Sequence, residues 1–187
     1  SIMNSFKLNN DEQQILLSTA RSAIESALKN KPYTLPSTDK DALTHIMGVF
    51  VTLNKHGQLR GCIGNIIGQH PLIQGTDRMA VQAAFHDPRF KPLTQEELDD
   101  IQIEISVLSP LFDITPEDVV VGKHGLLLRY HHYSGVLLPQ VPLEQGWGRS
   151  DFLDALCRKA GVSPHCYSSK DCHLFAFQAF VFSEHTC

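Results

Sequence analysis

Eight residues, Ile101 to Leu108, alternate without a break. Ile101, Ile103, Ile105 and Val107 fall on one side, and Gln102, Glu104, Ser106 and Leu108 on the other. A period of two over that length predicts a β-strand with one buried face. Such a strand needs partner strands beside it and a second layer over its apolar side. The rest of the chain offers both. Asp11 to Leu28 carries Ile15, Leu16, Ala20, Ala23, Ile24, Ala27 and Leu28 on one helical stripe, with Asn10 placed to cap it. Thr44 to Leu53 reads as a strand, and the turn Asn54-Lys55-His56-Gly57 leads to a hairpin partner at Leu59 to Ile63.

Pro71 to Phe85 is helix-like until Pro88 breaks it, and Thr94 with Glu97 forms a capping-box pattern. Gly125 to Tyr130 and Gly135 to Val141 read as two more strands around His131-His132-Tyr133-Ser134. Asp151 to Ala160 reads as a helix stopped by Gly161, and Phe175 to Phe182 as one last aromatic strand. Helices and strands mix with no βαβ rhythm, so the fold class is α+β with antiparallel sheet.

The 187 residues carry a formal net charge of -4, which leaves no electrostatic footprint for nucleic acid. No apolar run approaches the ~20 residues that cross a bilayer. Residues 1–4 lack the charged and apolar regions of a signal peptide. Five irregularly spaced cysteines (Cys62, Cys157, Cys166, Cys172, Cys187) fit free thiols in a reducing cytoplasm better than a disulfide framework.

Leu59-Arg60-Gly61-Cys62-Ile63-Gly64 is the segment that points to chemistry. A cysteine lies between two glycines, and an arginine two residues upstream favours the thiolate. The segment reads as an accessible Gly-rich turn whose backbone N–H groups form an anion nest. The plain alternative is a tight turn with Cys62 as a small buried hydrophobe.

These segments together resemble the AMMECR1-domain family. The resemblance rests on LRGCIG at 59–64, Ala83-Ala84 with Asp87-Pro88-Arg89-Phe90, and Ile103 to Pro110. It continues through Gly122-Lys123-His124-Gly125, Gly135 to Val141, Trp147, Cys157 to Gly161 and Phe177 to Glu184. It covers residues 18–184 and implies a single AMMECR1 domain over 1–187, built as two unequal lobes with antiparallel sheets flanked by helices. It implies no defined activity. It does imply a pathway shared with a Memo-like protein and a radical SAM protein, the two partners expected on this ground. Tyr167 departs from the tryptophan common in the family after the Cys157–Gly161 helix, so no site is carried past Gly161.

The candidate catalytic residues are Cys62 as nucleophile and Glu104 or His124 as acid and base, with His86 a further base. The candidate ligand-binding residues are Arg60, Gly61, Gly64, Asp87, Arg89 and Gln140, with the arginines holding a small anionic metabolite. Against this, Asp87-Pro88-Arg89 is also a self-paired turn, and Pro139 equally marks a strand end. His165, Cys166, Cys172, His173, His185 and Cys187 are metal-ligand types but lack ligand spacing, so neither metal nor cofactor is expected. A non-catalytic adaptor domain is the alternative, and nucleic-acid binding a third.

Overall fold

Asn9 caps the first helix, one residue ahead of the position expected from sequence. Its side chain accepts the Glu12 N–H at 2.9 Å and Glu12 returns a bond to the Asn9 N–H at 2.8 Å. The structure is a computed structural model and describes residues 7–185. The elements are α1 (Asn10–Lys29), α2 (Asp41–Thr44), β1 (Gly48–Lys55), β2 (Gln58–Asn65), α3 (Leu72–Phe85), β3 (Ile101–Leu108) and β4 (Phe112–Asp113). They continue with β5 (Gly125–Tyr130), β6 (Tyr133–Leu137), α4 (Val141–Gln145), α5 (Arg149–Ala160), β7 (Cys172–Phe177) and β8 (Ala179–Ser183). The expected α+β class with two antiparallel sheets is what forms. Among the described residues no helix is long and apolar enough to cross a membrane.

Two compact units result. The larger comprises residues 7–108 with 180–185, and the smaller Ser109–Ala179. The larger holds a sheet in the order β2-β1-β3-β8. Val49, Val51, Leu53, Ile103, Ile105 and Val107 bury one face of it in a core shared with Leu16, Ala20 and Ile24 of α1 and Ala80, Ala83 and Ala84 of α3. Each fully buried aliphatic contributes about 1.5–3 kcal/mol. The opposite face carries Phe50, Thr52, Glu104 and Ser106, all half-buried. The alternation of β3 is therefore realised as an apolar face and a polar face.

The smaller unit holds a sheet in the order β4-β7-β5-β6, with α5 packed on it through Phe152, Leu153, Leu156 and Cys157. Gly161 closes α5 at φ 84°, as its position predicts. The aromatic run 175–182 does not form one strand. It divides at Gln178, sending β7 to the smaller unit's sheet and β8 to the larger one's. The division is held where Ser109 N–H donates to the Gln178 carbonyl at 2.9 Å and Ser109 Oγ accepts the Gln178 N–H at 2.8 Å. A strand pattern records alternation but not which sheet receives it.

A disulfide joins Cys157 of α5 to Cys166, with their Cα atoms 6.2 Å apart. The expectation that every cysteine is a free thiol is corrected at these two positions. Cys62 and Cys172 are free, and Cys187 lies outside the described residues.

Candidate functional site

The hexapeptide lies in the hairpin strand expected at Leu59 to Ile63, and the accessible turn also expected there does not form. Residues 59–64 lie wholly within β2, and neither Gly61 nor Gly64 has positive φ. The anion nest expected there does not form, because a nest needs alternating helical conformations and this backbone is extended. The glycines answer to space. A methyl on Gly61 would overlap the carbonyl oxygen of Ala83 in α3, and one on Gly64 would overlap Phe50 and the Val49 carbonyl. Gly61 thus lets a helix backbone lie directly on a strand, and Gly64 lets the Phe50 ring cross the sheet.

Cys62 sits opposite Thr52 on β1, and Thr52 sits opposite Glu104 on β3. Directly paired residues share a face, so the three side chains form one row across three strands on the polar face. Cys62 Sγ lies 3.1 Å from Thr52 Oγ1. Glu104 is half-buried and makes no hydrogen bond or ion pair among the described residues. Thr52 was not anticipated as part of this row. A bulge between Leu53 and Asn54 of β1 shifts the register. Counting back from the Lys55–Gln58 pair without it would set Cys62 against Val51, on the face packed by the helices.

The Asp87-Pro88-Arg89-Phe90 segment closes the edge of this sheet. β2 is an edge strand, and the N–H and C=O of Cys62 are taken by side chains instead of a neighbouring strand. Asp87 Oδ2 accepts the Cys62 N–H at 2.9 Å, and Arg89 Nη2 donates to the Cys62 carbonyl at 3.3 Å. The pair is itself bidentate, at 3.0 and 2.8 Å, and Asp87 Oδ1 also accepts the Arg89 N–H at 3.1 Å. An acid and a base together imitate one residue of a β-strand, which blunts the edge. The Arg89 guanidinium, with the backbone bonds from Cys62 and Arg89, holds the buried Asp87 carboxyl far below the usual carboxylate range, against the opposing pull of burial.

Arg60 is bound in the same manner. Its Nε and Nη2 reach Glu97 at 2.8 and 3.1 Å, and Nη2 also reaches the Lys91 carbonyl at 2.8 Å. Lys55 Nζ joins Glu97 at 3.1 Å. The Phe90 ring lies between the two guanidinium groups, 5.9 Å from Arg60 and 5.4 Å from Arg89. The expected capping box of Thr94 and Glu97 is present and presents Glu97 to these cations. Arg60 is the main reason that the Glu97 carboxyl is lowered to about 2.

The sign of the resulting pH dependence follows. The folded pKa lies below the unfolded value, so on acidification the unfolded chain takes up protons first. The contribution of Glu97 is complete above pH 4.5 and is lost as pH falls towards about 2, and that of Asp87 is lost in the same direction, lower still. In urea titrations from pH 6 to pH 2, stability is expected to fall with acid, and Glu97→Gln to flatten the upper part of that fall. An unchanged slope in the variant would remove Glu97 from the account.

The remaining candidates are elsewhere. His124 belongs to the smaller unit and is buried there, with its Nδ1 accepting the Val120 N–H at 3.0 Å and its ring edge-on to Phe112 at 5.8 Å. Burial lowers its pKa. The interactions that join Cys62, Thr52, Asp87 and Arg89 do not include it. Gln140 is also in the smaller unit. Its side chain is exposed and does not enter a cavity made by the Pro139 bend, because β6 already ends at Leu137 and Gln140 is the cap residue of α4. His86 is exposed at the end of α3. Among the described residues no group of three or more His, Cys, Asp or Glu could hold a metal ion, and Cys166 is committed to its disulfide. Lys55, Phe90 and Glu97 were missed because only the fold brings their separate segments beside Arg60.

Comparison with known proteins agrees with this architecture over nearly the whole chain. The AMMECR1 family model matches residues 17–182. A protein of Methanothermobacter thermautotrophicus is 42% identical over 185 residues, covering 95% of this chain and 96% of that protein. Protein PYRAB00100 of Pyrococcus abyssi is 41% identical over 190 residues, covering 95% and 93%. The crystal structure of the uncharacterised protein PH0010 from Pyrococcus horikoshii superposes with a TM-score of 0.84 at 40% identity, covering 96% of this chain and 95% of that one. The chain belongs to the AMMECR1 family.

Proposed function

We propose that the polar face of the larger unit's sheet is a reactive small-ligand site with Cys62 as its nucleophile. The observation that supports this is the row Cys62–Thr52–Glu104, in which a free thiol contacts a hydroxyl that lies beside a half-buried, unpartnered carboxylate. The Thr52 hydroxyl can donate to a thiolate, and the Arg89 guanidinium, bonded to the Cys62 carbonyl, adds positive charge beside it. Glu104 is the group left to exchange a proton with a ligand. Arg89 is the anion anchor, since its side chain stays 56% exposed while paired to Asp87. Asp87 and Arg60 hold the frame.

Alkylation by iodoacetamide tests this against an internal reference. Cys172 is the other free thiol, and burial pushes its pKa up. At pH 7, Cys62 is expected to react at least about tenfold faster than Cys172, and Thr52→Val to move the Cys62 profile to higher pH. Equal rates, or a profile indifferent to Thr52, would sink the nucleophile reading.

A second reading has its own support. The Asp87–Arg89 and Arg60–Glu97 pairs consume most of their charge internally and make a rigid surface. That suits an adaptor that docks a Memo-like or radical SAM protein. A pull-down with Cys62→Ser separates the two. Retained partner binding with loss of a pathway product favours chemistry, and lost binding favours docking.

A further inference from the structure

A cavity of about 730 Å³ is lined by residues other than those of the Cys62 row. It opens between α3, the outer strand β2 and the loop before α2. Its volume falls within the ~300–1,000 Å³ of small-molecule sites. One stripe of α3 (Gln74, Asp77, Arg78, Val81, Gln82) forms a wall, at the spacing that puts residues on one helix face. The far wall is Ile63 and Asn65, with Gln69 and His70 from the connection between β2 and α3.

The chemistry of this lining is unusual in one respect. Four of its side chains are primary carboxamides: Asn65, Gln69, Gln74 and Gln82. Each offers a donor pair and an acceptor in one plane, the arrangement that reads the donor and acceptor edge of a nucleobase. Leu35 and Met79 add apolar surface to that of Ile63 and Val81, a bed for a ligand's flat ring, against which a thioether packs well. Asn65 Nδ2 makes only a long 3.9 Å contact with the Met79 sulfur, so its oxygen stays open to a ligand.

Arg78 is the one formal cation in the lining, next in sequence to its one acid. Asp77, the one acid in the lining, is bound by the Tyr33 hydroxyl, which also fastens the preceding loop against α3. Burial, together with hydrogen bonding to that carboxylate, raises the Tyr33 pKa, so the phenol keeps its proton and the tie holds. Arg78 is exposed and makes no ion pair among the described residues, and His70 stands on the same cavity. An anion is the natural partner of the unpaired Arg78 guanidinium.

We infer that this cavity binds a nucleoside monophosphate, the base lying on the Met79 bed among the carboxamides and the phosphate meeting Arg78 and His70. The site is independent of the Cys62 reading. The test is isothermal titration of the full chain with AMP, GMP, CMP and UMP in turn, with ribose 5-phosphate and a mixed-sequence single-stranded RNA 12-mer as comparators. At least one mononucleotide is expected to bind with Kd below about 1 mM. Gln74→Ala and Arg78→Ala are each expected to weaken it by about tenfold or more, and Cys62→Ser to leave it unchanged. Both α3 positions are exposed, so folding is preserved and checked by circular dichroism. Four outcomes would each overturn the proposal. They are no binding of any of the four up to about 5 mM, ribose 5-phosphate binding equally well, the RNA binding more tightly per site, or indifference to both α3 variants.

Discussion

Replacing Gly61 by alanine is expected to cost about 3 kcal/mol or more. The added carbon meets the Ala83 carbonyl, which is backbone on the partner side as well as on its own. A side chain could rotate away, but here α3 would have to lift from β2 and take Ala80, Ala83 and Ala84 with it. Total stability for a domain is typically 5–15 kcal/mol, so a loss of this size is visible as a large drop in urea midpoint at nearly constant slope. Gly57→Asn is the matched control. It stands at φ 77° in open space at the hairpin turn, where asparagine tolerates the conformation, and is expected to change stability by no more than about 0.5–1 kcal/mol. Equal midpoints for Gly61→Ala and Gly57→Asn would show that the glycine is not there to admit the helix.

Asp87→Asn is expected to cost about 2–3 kcal/mol. The amide oxygen can still accept the Cys62 N–H, but it cannot take both bonds of the Arg89 fork. Breaking a buried pair commonly costs more. Here Arg89 is 56% exposed and its released charge returns to water, which limits the loss. For a chain of this length the change corresponds to a fall in Tm of about 4–10 °C. Two further readouts identify the mechanism. Amide exchange at Cys62 should quicken because its N–H has lost a charge-assisted acceptor. The acid limb of stability should also flatten, since a carboxyl held far below its usual range no longer contributes. If the midpoint and the Cys62 exchange rate both stay at wild-type values, the edge is closed by something other than this pair.

Much of the secondary structure could be read locally, for reasons particular residues make plain. β3 was identified to the residue because Ile101 to Leu108 alternate and Pro110 follows closely. α5 was identified because its apolar stripe ends at a glycine that adopts the left-handed cap. The candidate site was legible in part. The self-paired Asp87–Arg89 turn, the alternative to a ligand site in the sequence, is present as a contact two residues long. What they do, closing an edge strand 25 residues away, depends on long-range pairing. The strand at Leu59 to Ile63 was legible from the hairpin turn before it, but the accessible turn read from its glycines was not, because these glycines serve close approach by α3 and Phe50.

The sequence by itself determined the family, the α+β class and the amphipathic helices. These rest on periodicity, capping residues and local order, all of which act within a few residues. Only the tertiary structure decided that the strand holding residues 59–64 lies at the sheet edge, that Cys62 faces Thr52 instead of Val51, and that the aromatic run divides between two sheets. It also decided that Cys157 and Cys166 are joined. The physical reason is the same in each case. A strand's face is set by a register with period two, so one bulged residue inverts it, and no local propensity encodes a bulge or chooses the sheet that will accept an edge.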